Sequence, residues 1–208
     1  MRLFSLIVLF ALVIKVLPAQ VPTQIFAGHE ATEFNFMWNG YLDKKEKFTL
    51  FNFTFFETDY NEQSNNTYEI YQVIIYNLNK KWGVAGGGRF IANEFISEAA
   101  LSFQAFGKDL YLNLFPSVRY TPSLEEAGYS VFGMVIYTPK LNDKWSFFNQ
   151  VIFEPLFNNE GHVFSYQQLR IGLGYRSAFQ FGLGANLSQV GDSFENETNL
   201  GVFVRKEL

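Results

Sequence analysis

The chain has 208 residues, 25 of them phenylalanine and 11 tyrosine, with no cysteine and a formal net charge of −4. A length near two hundred residues fits one domain. The lack of cysteine excludes a disulfide scaffold and a lipoprotein held by a modified cysteine, and the negative charge argues against nucleic acid as a partner.

The chain opens as an export signal. Arg2 supplies a positive start, residues 3–14 are apolar apart from Ser5, and Pro18-Ala19 offers a small residue for cleavage before Gln20. Leu17 at the third position before the cut departs from the small-residue rule. Residues 1–19 are therefore read as a signal peptide and 20–208 as one barrel domain. No later segment reaches the roughly 18 apolar residues of a membrane helix, so any membrane crossing after the leader uses strands.

After residue 20 the apolar residues recur with period two, the signature of strands whose successive side chains point to opposite faces. The alternation predicts strands over 32–40, 48–57, 67–78, 82–92, 99–106, 110–121, 129–139, 145–154, 163–175, 179–188 and 199–207. Most reach the roughly 9–11 residues that a tilted membrane strand needs; soluble strands are nearer five or six. Single-chain bacterial barrels have even strand numbers. Residues 23–27 then supply a twelfth strand, or a weak one such as 99–106 drops out; 10–12 strands are open, with 12 favoured. Short connections (43–47, 79–81, 107–109, 140–144, 176–177) alternate with longer polar ones (58–66, 93–98, 122–128, 155–162, 189–198). That is the pattern of short periplasmic turns and longer extracellular loops. Two short turns echo each other, Leu78-Asn79-Lys80-Lys81-Trp82 and Leu141-Asn142-Asp143-Lys144-Trp145. They place Trp82 and Trp145 at strand entry as interfacial anchors.

Alternation also sorts faces. In 169–188, Phe179, Phe181 and Leu183 oppose Gln180, Gly182, Gly184 and Asn186. Leu112 and Leu114 oppose Asn113, and Phe51, Phe53 and Phe55 oppose Asn52 and Thr54. The apolar sets are expected to face lipid. Arg89, Arg119, Arg170, Arg205, Asn113, Gln168, Gln180 and Asn186 are expected to face the lumen, because a charge on the lipid face near the midplane costs roughly 2–4 kcal/mol. Lumenal arginines admit two readings. They form a cationic constriction for anionic solutes, or they pair with carboxylates such as Glu33, Glu69 and Glu154 and fill the barrel.

Chemistry is sparse. His29 and His162 are the only histidines. A triad of His162, Ser165 and Glu154 fails on a regular strand, where His162 and Ser165 point to opposite faces. No metal-ligand spacing and no cofactor motif is present, so neither a catalytic residue nor a metal or cofactor is expected, and the chain is read as a non-enzyme.

The Ala-Gln end of the leader, TPKLNDKWSFFNQ at 138–150, SYQQLRIGLGY at 165–175 and NLGVFVRKEL at 199–208 resemble small outer-membrane β-barrel proteins of Bacteroidota, the flavobacterial group in particular. The final Leu208 departs from the aromatic ending common among such barrels. The resemblance implies an all-β, antiparallel up-and-down transmembrane barrel in the outer membrane. Its partners would be outer-membrane lipid, the barrel-assembly machinery and a small polar solute. The functions expected are a narrow porin-like channel for small polar or anionic solutes, or a structural barrel. Alternatives are a barrel that binds a ligand or partner protein through its loops, and a soluble periplasmic lipocalin-like carrier.

Overall fold

A computed structural model describes residues 21–207 apart from 92 and 177. The expected leader, part of the 176–177 turn and the terminal Leu208 lie outside the described residues. Twelve antiparallel strands form one closed barrel in chain order. They are β1 (Pro22–Gly28), β2 (Ala31–Tyr41), β3 (Phe48–Asp59), β4 (Thr67–Asn77), β5 (Trp82–Ile91), β6 (Glu94–Phe106), β7 (Leu110–Thr121), β8 (Glu126–Tyr137), β9 (Trp145–Phe157), β10 (His162–Tyr175), β11 (Phe179–Val190) and β12 (Glu195–Glu207). β1, the optional twelfth strand of the sequence reading, closes the sheet by pairing with β12 from Pro22↔Glu207 to Gly28↔Gly201. Among the described residues every strand has a partner on both sides, which removes the usual site of aberrant edge pairing.

The connections are more even than the sequence pattern suggested. Residues 94–98 and 126–128, read as parts of longer loops, belong to β6 and β8. Polar residues at the rims still alternate and still pair, so polarity there marks solvated strand ends rather than loops. The two echoed turns have the same build. Asn79 Oδ1 accepts from the Lys81 and Trp82 amides, and Asn142 Oδ1 accepts from those of Lys144 and Trp145. Each asparagine side chain thus mimics a backbone turn before its tryptophan.

Two belts of aromatic residues ring the outward face. At the rim where β1 begins and β12 ends, Phe48 meets Tyr76, Trp82 meets Phe103, and Trp145 meets Tyr175 and Phe181. At the other rim Phe34, Phe56, Tyr68 and Phe90 form a continuous chain of ring contacts. Between the belts the surface is mostly apolar, with Ile74, Leu101, Ile171, Leu183, Val202 and Val204 exposed and Gln72 among them as a polar side chain.

The inner face is packed. Gly184, on β11, faces the lumen opposite Arg170, and a Cβ there would come within 2.9 Å of both the Arg170 side chain and the Phe26 ring. Glycine at this position lets the Arg170 guanidinium lie 4.0 Å above that ring. Gly184→Val is expected to lower stability by about 1–3 kcal/mol through overpacking, read as the urea midpoint in detergent micelles.

Candidate functional site

The lumen holds the molecule's densest polar chemistry, and strand parity places it there. The side chains of Arg89, Arg119, Arg170, Arg205, Asn113, Gln168, Gln180 and Asn186 all point inward and are at least nine-tenths buried. Phe179, Phe181 and Leu183 point outward and are exposed, as is Trp82. Leu112 and Leu114 share the outward face of β7, and Trp145 that of β9.

Phe51, Phe53 and Phe55 do not face outward. β3 turns them into the lumen, where Phe51 is fully buried and Phe53 nearly so, and directs Leu50, Asn52, Thr54 and Phe56 to the other side, where Asn52 and Thr54 are themselves covered. The cause is long-range. Phe51 packs on Phe115 at 5.0 Å and on Phe132 at 5.7 Å, while Phe53 meets Phe132 at 5.8 Å. Each such ring pair contributes about 0.5–1.5 kcal/mol beyond the area it buries. The Thr54 hydroxyl donates to Asn52 Oδ1, partly satisfying the buried polar pair on the outward side of β3.

Three polar assemblies surround this aromatic layer. The first centres on Arg89. Its Nη1 lies 2.6 Å from both Glu69 and Glu154, and its Nε 2.8 Å from Glu98. The guanidinium lies 4.0 Å from the Tyr71 ring, and the Tyr71 hydroxyl donates to Glu98. Arg119 reaches the same Glu154 at 3.5 Å. Two arginines therefore face three carboxylates. The second centres on Glu33, fully buried, which accepts from Asn35, Tyr166, Gln168 and Asn186 and lies 3.6 Å from Arg170. In the third, Arg205 Nη1 donates to Gln150 Oε1 at 2.7 Å, Gln150 donates to Gln168, and Glu207 pairs with Arg205 at 3.0 Å.

The arginines thus meet carboxylates and amides, as in the filled-barrel reading rather than the cationic constriction. Glu33, Glu69 and Glu154 were legible as partners. Glu98 was not, because the segment before Ala99 read as a loop; the alternation of Ile96, Glu98, Ala100 and Ser102 was the signal that places it inside. Several bonds cross the lumen outright. Asn39 on β2 donates to Tyr111 on β7, and Tyr166 on β10 stacks on Phe55 of β3 with ring centroids 6.1 Å apart. Among the described residues no group of acidic, histidine or cysteine side chains has metal-site geometry.

No family model and no curated protein matches the sequence. Solved structures do match the fold. The chain is similar to the KdgM porin in complex with disordered oligogalacturonate, with a TM-score of 0.50 and 12% identity over 91% of this chain and 99% of that one. It is similar to the NanC porin, with a TM-score of 0.53 and 14% identity over the same shares of the two chains. At these identities the likeness is one of fold, a closed twelve-stranded antiparallel barrel.

Removing one member of a buried ion cluster leaves the others uncompensated. Arg89→Met is therefore expected to cost about 3–5 kcal/mol in the urea unfolding of the micellar protein, whereas Lys108→Met, in an exposed turn, is expected to leave the midpoint unchanged.

Proposed function

We propose that this chain is an integral outer-membrane β-barrel of porin architecture whose lumen is closed by its own side chains, a structural barrel rather than an open pore. One observation carries the reading. Phe51, Tyr71, Phe115 and Phe132 contact one another across the lumen, each at most 2% exposed. A water path past that layer would wet at least one of them. The outward apolar band and its two aromatic belts support lipid as the surrounding medium. On this reading the protein is exported with cleavage of residues 1–19 and inserted by the barrel-assembly machinery. The rim where β1 begins and β12 ends faces the periplasm. The sequence resemblance to barrels of Bacteroidota belongs to the same reading.

A narrow channel for small polar or anionic solutes is the second reading. It is favoured by the likeness to the KdgM porin, a protein solved with oligogalacturonate, and by the four inward arginines. It requires the aromatic layer to move aside.

The two readings separate in planar bilayers. The wild-type protein, heat-modifiable on a gel, is expected to give no steady conductance, and Phe51→Ala with Phe132→Ala to give stepwise current. Steady wild-type current selective for anions would replace the closed barrel with the channel. The lipid-facing assignment has its own check. Leu101→Arg, between the two aromatic belts, is expected to cost about 2–4 kcal/mol, measured as folding yield into lipid vesicles.

A further inference from the structure

A second polar group lies on the opposite side of the wall, on the outward face near the rim away from the start of β1. β10 carries a bulge between His162 and Phe164. One extra residue in a strand re-aims the side chains before it. His162 accordingly pairs with Phe157, which shares its face with Tyr129 of β8, while Ser165 pairs with Pro155 and Gln189. Both side chains then point outward, and His162 Nε2 lies 2.7 Å from Ser165 Oγ.

The imidazole is held on three sides. Its Nδ1 lies 2.8 Å from the Gly191 carbonyl oxygen. A carbonyl only accepts, so Nδ1 carries the proton, and Nε2 of the neutral ring is left to accept from the Ser165 hydroxyl. Phe194 stacks on the ring at 4.3 Å and Phe157 meets it edge-on at 5.5 Å. The backbone is pinned as well: the His162 amide donates to Asp192 Oδ1, and the Gly191 amide to the Val163 carbonyl. Gly161, at φ 145°, admits this approach, since a Cβ there would lie 2.4 Å from the same Asp192 oxygen.

Beside Ser165 opens a cavity of about 310 Å³. Its wall is three outward cross-strand pairs of β9 and β10, namely Val151↔Leu169, Phe153↔Gln167 and Pro155↔Ser165, together with Tyr166 between the last two. The sequence makes room for it. Pro155 has no N–H to give the ladder, the β8–β9 pairing lapses between Leu156 and Phe153, and the Phe153 ring leans over Gly133. The volume falls at the small end of ligand cavities, and the polar side chains aimed at it are Ser165 and the Gln167 amide, since the Tyr166 hydroxyl is engaged inside with Glu33.

We propose that Ser165 and His162 form a nucleophile–base pair that hydrolyses acyl esters of membrane lipid, with the acyl chain in this cavity. Seating a lipid substrate rests on the outer-membrane reading; the pair itself does not. Ser165 Oγ attacks the ester carbonyl carbon as His162 Nε2 takes the hydroxyl proton. The oxyanion forms beside the Gln167 amide, the one amide side chain in the cavity wall. Collapse breaks the acyl–oxygen bond, the departing alkoxide takes the proton from Nε2, and an acyl-serine remains. Water from the rim then gives a proton to Nε2 and its oxygen to the acyl carbon, releasing a carboxylic acid and restoring Ser165. The sum is ester plus water to acid plus alcohol. Glu154 has no part in it, since its carboxylate is inside the barrel with Arg89.

The test uses the full-length exported protein in detergent with p-nitrophenyl octanoate and p-nitrophenyl acetate. The wild type is expected to hydrolyse the octanoate in preference and to be labelled at Ser165 by a fluorophosphonate. Ser165→Ala and His162→Gln are expected to lose about 100-fold or more of the rate and the label, while keeping the heat-modifiable mobility of a folded barrel. A folded wild type that neither turns over an ester nor takes the label overturns the proposal; equal rates on acetate and octanoate overturn the acyl cavity. Turnover by a protein that fractionates away from the outer membrane upholds the pair and rejects the location.

Discussion

Closure of the sheet is the constraint from which the rest of the structure follows. A strand pairs on two sides, and an unclosed sheet leaves two rows of backbone donors and acceptors without partners. Here the seven residues of β1 complete that pairing against β12. Once the ring is closed, every strand has an inside and an outside, and neighbouring strands in register must agree on which is which. A single strand therefore does not choose its own orientation. β3 shows this. It has phenylalanines on both faces, and its neighbours decide that Phe51 and Phe53 go in while Phe48 and Phe56 go out.

A closed twelve-stranded ring encloses more space than a simple backbone wall can fill. This chain fills it with rings and charges in layers. Burying a guanidinium is costly unless it is paired and hydrogen-bonded, and each buried arginine here meets at least one carboxylate. Arg89 and Arg170 also lie flat on aromatic rings, which couples the polar assemblies to the apolar layer. The lumen is thus a core in the ordinary sense, turned to the inside of a cylinder.

The same wall carries different chemistry on its two faces at the rim above Glu154. Inside, Tyr166 donates to Glu33. Outside, one residue away, Ser165 meets His162. The bulge and Pro155 both weaken regular pairing there, and the irregularity brings a histidine and a serine together beside a cavity. Two residues that a straight strand would hold apart thus become neighbours.

Strand period, strand number to within two, the two tryptophan turns and the inward direction of Arg89, Arg119, Arg170 and Arg205 were all legible in the sequence. Each depends only on local alternation or on the cost of exposing a charge to an apolar medium, and both are properties of a short segment. Loop lengths were less legible, because polar strand ends pair as well as apolar ones. The orientation of Phe51, Phe53 and Phe55 and the recruitment of Glu98 needed partners on distant strands. The outward meeting of His162 with Ser165 needed a one-residue bulge that alternation cannot reveal. The sequence by itself determined that the chain forms two-faced strands enough for a barrel. Only the tertiary structure decided which aromatic rows became the core and where the wall breaks its own period, because those outcomes are settled by contacts across the barrel and not along the chain.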